Sequence, residues 1–261
     1  MINQSLKNKK IIISAGASGI GLAITKVCLN RGATVFLSDI NEKFINKLKK
    51  SNKSTKLHIF KCDASDEDQV KNLFERIRKK TSKIDCAINN VGIAGPTATF
   101  EKISLRDWEK TLRTNVISHF LFTKLSIPMI KKNKGGSIIN ISSDAGVMGF
   151  PLRSPYAASK WAVVGITKTL AMELGKYKIR VNTILPGTIK GDRMKRVVRD
   201  KADFLKISKK KVEKEFLSMS SMRSWIYEDD IGKLCSFLIS DDASRISGQI
   251  IGVNGNAIRL D

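Results

Sequence analysis

No run of the 261-residue chain is long and apolar enough to cross a bilayer as a helix, so no membrane role is expected. Met1 to Lys10 is polar and lacks the apolar segment of a signal peptide, which points to a cytoplasmic protein. The chain also lacks internal repeats, linkers and low-complexity tracts, so residues 1–261 are expected to form a single domain with a large core. There are only four cysteines (Cys28, Cys62, Cys86, Cys235), without metal-type spacing. No metal site is expected, and the thiols are read as buried and reduced. Acidic residues are scarce: 24 against 47 basic ones, a formal charge of +23. That excess first suggests nucleic acid. However, Lys43, Lys47, Lys49, Lys50, Lys53 and Lys56 are spread over solvent faces rather than interleaved with stacking aromatics. The richness in Ile and Asn fits an AT-rich genome, so no nucleic-acid partner is expected. The charge would still raise encounter rates with anionic small molecules.

What the chain does have begins with Lys10 to Ser14, a short buried strand. It is followed by Ala15-Gly16-Ala17-Ser18-Gly19-Ile20-Gly21 and then a stretch with helical apolar spacing. A glycine turn between strand and helix lets backbone amides approach a phosphate, and the helix dipole favours the anion. A second strand, Ala33 to Ser38, ends at Asp39, eighteen residues after Gly21. An acid at about that offset accepts bonds from both adenosine ribose hydroxyls and repels a 2′-phosphate, which favours NAD over NADP.

The alternation continues. Strands are expected at 57–62, 84–89, 136–141, 179–185 and 249–253. Helices are expected at 66–80, 105–131 (with Pro128 bending or ending it), 155–175 and 228–239. This pattern implies an α/β fold of Rossmann type, a doubly wound parallel sheet with helices on both faces. Ligands bind such sheets at the carboxyl ends of the strands, where Gly16, Asp39, Asp63, Asn89, Ser143 and Pro186 would converge.

Tyr156 and Lys160 are one helical turn apart, with Ser143 thirteen residues before Tyr156. An ammonium beside a phenol favours the phenolate, and a serine hydroxyl nearby can hold a substrate oxygen against it. The three make a proton donor and acceptor for an alcohol or a carbonyl. A Tyr-x-x-x-Lys pair by itself also fits a half-buried tyrosine beside a solvated lysine, so the surrounding pattern has to decide.

Taken together, these motifs resemble the short-chain dehydrogenase/reductase family over nearly the whole chain. The matching residues are Ser14 to Gly21, Asp39, Asp63, Asn89-Asn90-Val91-Gly92, Asn115, Ser143, Tyr156, Lys160, Pro186-Gly187, Ile246 to Gln249 and Val253-Asn254-Gly255. The resemblance implies a catalytic tetrad of Asn115, Ser143, Tyr156 and Lys160. Tyr156 exchanges the proton, Ser143 binds the substrate oxygen, Lys160 favours the phenolate and holds the nicotinamide ribose, and Asn115 holds a water linking the lysine to solvent. It implies an NAD site built from Ser14, Gly16, Ser18, Gly19, Ile20, Gly21, Asp39, Asp63, Ala64, Asn89, Val91, Tyr156, Lys160, Pro186, Gly187 and Ile189, with Asp63 on the adenine. It also implies a homotetramer that pairs the helices around 105–131 and 155–175.

Several positions depart from the family pattern. Ala15 stands where a glycine is usual and is expected to require negative φ. Val91 replaces an alanine. Gly191 occupies a position that is often threonine. Asn254 replaces a common aspartate and is read as a packing change. Residues 188–223 are strongly basic and are expected to form a helical lid over the substrate. Arg153 and Arg193 are candidates to clamp an anionic hydroxy or keto substrate, such as a hydroxy acid or hydroxysulfonate. The other readings are an interface ion pair for Arg153 and a solvated charge for Arg193. The expected activity is NAD-dependent interconversion of a secondary alcohol and a ketone. The alternatives are a 3-oxoacyl thioester (acyl carrier protein) reductase and, more remotely, a non-catalytic nucleotide- or nucleic-acid-binding protein.

Overall fold

Successive apolar residues of the strands face opposite ways, and this divides the core into two layers. Residues 5–257 are described by the computed structural model. The strands are β1 (Lys10–Ser14), β2 (Thr34–Asp39), β3 (Leu57–Lys61), β4 (Cys86–Asn89), β5 (Gly136–Ile141), β6 (Ile179–Pro186) and β7 (Ile250–Val253). All pair in parallel in the order β3-β2-β1-β4-β5-β6-β7, so the winding reverses between β1 and β4.

Ile11, Ile13, Val35 and Leu37 face one layer. They pack on α1 (Gly19–Asn30), α2 (Glu42–Ser51) and α9 (Glu228–Ile239) through Ile24, Cys28, Ile45, Leu48, Ile231 and Leu238. Ile12, Phe36, Ala87 and Ile138 face the other layer. They pack on α3 (Glu67–Arg78), α5 (Ser118–Lys132) and α6 (Ser154–Leu174) through Val70, Phe74, Phe122, Ile130 and Leu174. Helix starts follow local chemistry. Asp66 accepts from the backbone N–H of Asp68 and Gln69, and Asn41 accepts from those of Lys43 and Phe44. Each such cap is worth about 1 kcal/mol.

Pro128 does not end its helix, which runs on to Lys132. The proline costs about 3 kcal/mol in a helix interior. Burying the next two side chains, Met129 and Ile130, offsets this at roughly 1.5–3 kcal/mol each. Upstream, α4 (Leu105–Leu112) passes into a π-helical turn over Arg113–Ile117 before α5 begins.

Helices α7 (Asp192–Leu205) and α8 (Lys209–Ser218) follow β6 and carry a small core of their own around Val198, Ala202, Val212 and Phe216. A buried polar chain fixes α6 on the sheet. Asn89 Nδ2 donates to Asn140 Oδ1 at 2.7 Å, Asn140 Nδ2 donates to Thr167 Oγ1 at 2.8 Å, and Thr183 Oγ1 lies 2.6 Å from Thr167 Oγ1. No helix among the described residues is long and apolar enough to cross a membrane.

Candidate active site

A cavity of about 430 Å³ opens at the carboxyl ends of the central strands. The turn after β1 forms one wall. Ala15 has φ +52°, in the left-handed region, so the expectation of negative φ is corrected. Its surroundings hold it there: Gly16 N donates to Ser38 O, Asn90 Nδ2 donates to Ala15 O, and Gly21 packs against the Ala15 carbonyl. A Cβ on Gly21 would overlap that carbonyl, and one on Gly16 would stand 2.7 Å from Leu37 Cβ. Ser18 precedes α1 without a side-chain cap, so the first N–H groups of α1 stay open, and Ser18, Gly19 and Ile20 line the cavity. This cradle fits an anionic phosphate.

Asp39 is buried at the end of β2 and lines the cavity. Its carboxylate is aimed by two backbone donors, Ala17 N at 3.1 Å and Asn41 N at 2.9 Å. The second lone pair on each oxygen remains for a ligand.

On the opposite wall, Ser143 ends the segment after β5 and accepts from Ala145 N at 3.3 Å. Tyr156 packs edge-on against Phe150, with Lys160 Nζ 5.7 Å from its ring centre. Lys160 is buried and its Nζ donates to Ile141 O at 3.0 Å, while Ser142 Oγ donates to Lys160 O at 2.9 Å. These bonds tie α6 to the end of β5, so Ser143, Tyr156 and Lys160 face one space.

Asn115 sits in the π-helical turn, fully buried. It accepts from Ile93 N at 2.7 Å and donates to Ile93 O at 3.0 Å and Ser159 Oγ at 2.9 Å. A Cβ on Gly92 would stand 3.2 Å from Lys160 Nζ and 3.5 Å from Asn115 Oδ1, so glycine keeps that approach open. The arrangement can hold an alcohol or carbonyl oxygen between a hydroxyl and a phenol, with an ammonium beside them.

A family model described as enoyl-(acyl carrier protein) reductase matches residues 14–255. The chain is a short-chain dehydrogenase/reductase. Among its relatives is a 3-oxoacyl-(acyl-carrier-protein) reductase of Thermotoga maritima, 32% identical over 97% of this chain and 99% of that one. A 2,5-dichloro-2,5-cyclohexadiene-1,4-diol dehydrogenase of Sphingobium indicum is 30% identical over 96% and 97%. The crystal structure of levodione reductase superposes with a TM-score of 0.90 at 26% identity, covering 95% of this chain and 97% of that one. A short-chain dehydrogenase/reductase is an oxidoreductase that uses a nicotinamide dinucleotide, and the cradle at Ser18 to Ile20 suits one.

Not every expected site residue of this dehydrogenase/reductase lines the cavity. Ser14 Oγ accepts from Asn90 N at 3.0 Å. Asn89 turns its side chain inward to Thr123 and Asn140. Asp63 accepts from the Ser65 amide and hydroxyl, Ala64 is buried, and the Val91 carbonyl is bonded by His119. Pro186, Gly187 and Ile189 do line it. The side chain of Arg193 lies outside what the structure describes.

Other lining residues went unassigned in the sequence: Asn90, Asp144, Arg196 and Glu228 among them. Asp144 is buried, which pushes its carboxyl up to about 6, although Asn254 Nδ2 donates to it at 2.6 Å. Asn254 therefore does more than pack. Glu228 faces the glycine turn, and burial, then Asp192, raises its carboxyl. Behind the site, burial and then Lys160 push His119 down to about 3, so the ring is neutral and Nε2–H donates to Val91 O.

Proposed function

We propose that this enzyme is an NAD-dependent oxidoreductase interconverting a secondary alcohol and a ketone. The observation that carries the cofactor choice is Asp39, fixed by two backbone donors at the cavity wall. Among the described residues, the basic side chains lining the cavity are Arg153, Lys160 and Arg196. All lie beyond β5 and β6, across the sheet from Asp39. A 2′-phosphate at Asp39 would meet a carboxylate without a compensating cation, whereas ribose hydroxyls would find two acceptor oxygens.

NAD, when bound, supplies the hydride acceptor. The chain supplies position and a proton route. Ser143 holds the substrate oxygen, Tyr156 takes its proton in the oxidative direction, Lys160 places its ammonium beside the phenol, and Asn115 orders the Ile93 loop beside Lys160. Helices α7 and α8 act as the lid, since Met194, Val197 and Phe216 line the cavity from above. Exposed apolar side chains on α6 (Trp161), α5 (Phe120) and the preceding turn (Ile117) support pairing of these helices in a homotetramer. Four buried, unpaired thiols suit a reducing cytoplasm.

A second reading, reduction of 3-oxoacyl thioesters, is favoured by the names of several relatives and by the basic surface. Titration with NAD and NADP, followed by turnover assays on secondary alcohols and on a 3-oxoacyl thioester, separates the two. Tighter NAD binding with alcohol oxidation supports the first. NADPH-dependent thioester reduction alone overturns it.

A further inference from the structure

Arg153 immediately precedes α6, three residues before Tyr156, and lines the same cavity as Ser143 and Tyr156. It is only 4% exposed. Nη1 donates to two neutral acceptors, the carbonyls of Ala94 (3.3 Å) and Gly95 (3.4 Å). Nη2 is buried and has no hydrogen-bond partner among the described residues. The guanidinium is thus folded into the chain rather than presented to a partner surface. Burial lowers its pKa, the mark of a cation held away from water without a full counter-charge.

The backbone holds it there at some strain. Leu152 has φ +65°, a left-handed conformation disfavoured for leucine, and its carbonyl accepts from Ala98 N at 3.1 Å. That bond stitches the segment before α6 to the loop after β4, whose carbonyls hold Nη1. Arg196 on α7 lines the cavity as well. Together, Arg153 and Arg196 also border a second chamber of about 450 Å³, which Thr111, Asp107 and Asp200 line as well. The acid whose charge acts on Arg153 is Asp200, which is itself bonded by Arg199 Nε and Nη2 at 3.0 and 2.8 Å.

The geometry points to an anion subsite: the substrate carries a carboxylate or sulfonate that Arg153 Nη2 binds, with Arg196 closing over it from α7. This rests on the oxidoreductase reading above and names its substrate class. The carbinol carbon lies at Ser143 and Tyr156, and the oxyanion supplies the acceptor that Nη2 lacks. A buried donor left unpaired by a neutral analogue makes such a site selective.

The test is calorimetric titration of the full chain, saturated with NADH, using short hydroxy acids, the matching hydroxysulfonates and the matching hydroxy amides. The expected result is that one of the anions binds roughly tenfold or more tightly than its amide. Whether carboxylate or sulfonate gains more identifies the headgroup. Arg153→Gln should erase the preference and Arg196→Ala should narrow it, with NADH affinity unchanged in both. Arg153→Lys, which keeps the charge, should retain part of the preference, and it serves if the glutamine variant does not fold. Equal affinity for anion and amide, no binding of either, or a preference that survives Arg153→Gln overturns the subsite. If NADH binds and neutral alcohols turn over without any preference for anions, only the subsite fails. If the unaltered protein does not bind NADH, the oxidoreductase reading fails with it.

Discussion

Asn115 and Ile93 exchange two hydrogen bonds: Asn115 Oδ1 accepts from Ile93 N at 2.7 Å and its Nδ2 donates to Ile93 O at 3.0 Å. This pairing is what the π-helical turn achieves. The extra residue in that turn turns Asn115 toward the loop carrying Gly92, whose missing side chain leaves Lys160 Nζ in reach.

Asn115→Ala should therefore leave a buried N–H and C=O of Ile93 without partners, costing roughly 1–3 kcal/mol of stability. Activity should fall by more than stability predicts, because the loop beside Lys160 is loosened. Thermal unfolding and turnover measured on the same preparation check both effects. Asn115→Ser, which keeps one polar group, should recover part of each.

Asp144 and Asn254 set a pH dependence. In the unfolded chain the carboxyl titrates near its ordinary value of 3.8, and in the fold near 6. Between these values the folded state holds the extra proton, so stability falls as pH rises through the window from about 4 to 6. The shift corresponds to about 3 kcal/mol, as an order of magnitude. Asp144→Asn keeps the acceptor for Asn254 and should flatten the stability profile in that window, raising stability above it. Asn254→Asp should do the reverse, since two carboxylates at hydrogen-bond distance cannot both ionise. Denaturant titrations across the window decide.

His119 works in the opposite sense. Its folded pKa is lowered to about 3, so stability is present above its ordinary value of 6.5 and is lost as pH falls toward 3. His119→Leu should remove that acid sensitivity, at the cost of leaving the Val91 carbonyl unpaired. Acid unfolding curves of the two proteins would show it.

The left-handed Ala15 carries a conformational cost of about 1–2 kcal/mol, and a glycine there would cost about 0.4–1 kcal/mol in unfolded-state entropy. Ala15→Gly should therefore leave stability unchanged or raise it by up to about 1.5 kcal/mol, with nucleotide binding retained. Ala15→Val should lower both. Unfolding midpoints and NADH titrations test the pair.

Much of this architecture was legible because the strands are dense in branched apolar residues and the helices carry caps and a 3.6-residue period. Glu228–Ile239 and the capped start at Asp66 are examples. Asn89 turns its side chain inward by strand parity. It shares the face of Ala87, which packs on the α5 and α6 layer, and its side chain goes there. The π-helical turn left no trace, because one inserted residue does not alter an apolar period over so short a span. The left-handed Ala15 and Leu152 depend on bonds from distant Asn90 and Ala98, which no local pattern encodes. Arg153 stood out by its place beside Tyr156, but its burial and unpartnered Nη2 are properties of packing. Arg196, on the helix after β6, escaped notice because a basic stretch gives no sign of which side chains point inward.

Asp39→Ser should weaken NAD binding by about 10–100-fold, the worth of hydrogen bonds to a charged acceptor, and should relax discrimination against NADP. Parallel NAD and NADP titrations check this.

In the proposed reaction Tyr156 moves the substrate's proton while a nicotinamide carries the hydride. The most direct measurement is NADH formation by the unaltered enzyme and by Tyr156→Phe on one secondary alcohol, with NADH affinity measured for both. A loss of roughly a hundred- to ten-thousandfold in turnover is expected, with NADH affinity retained. Turnover that survives the removal of that hydroxyl would contradict it.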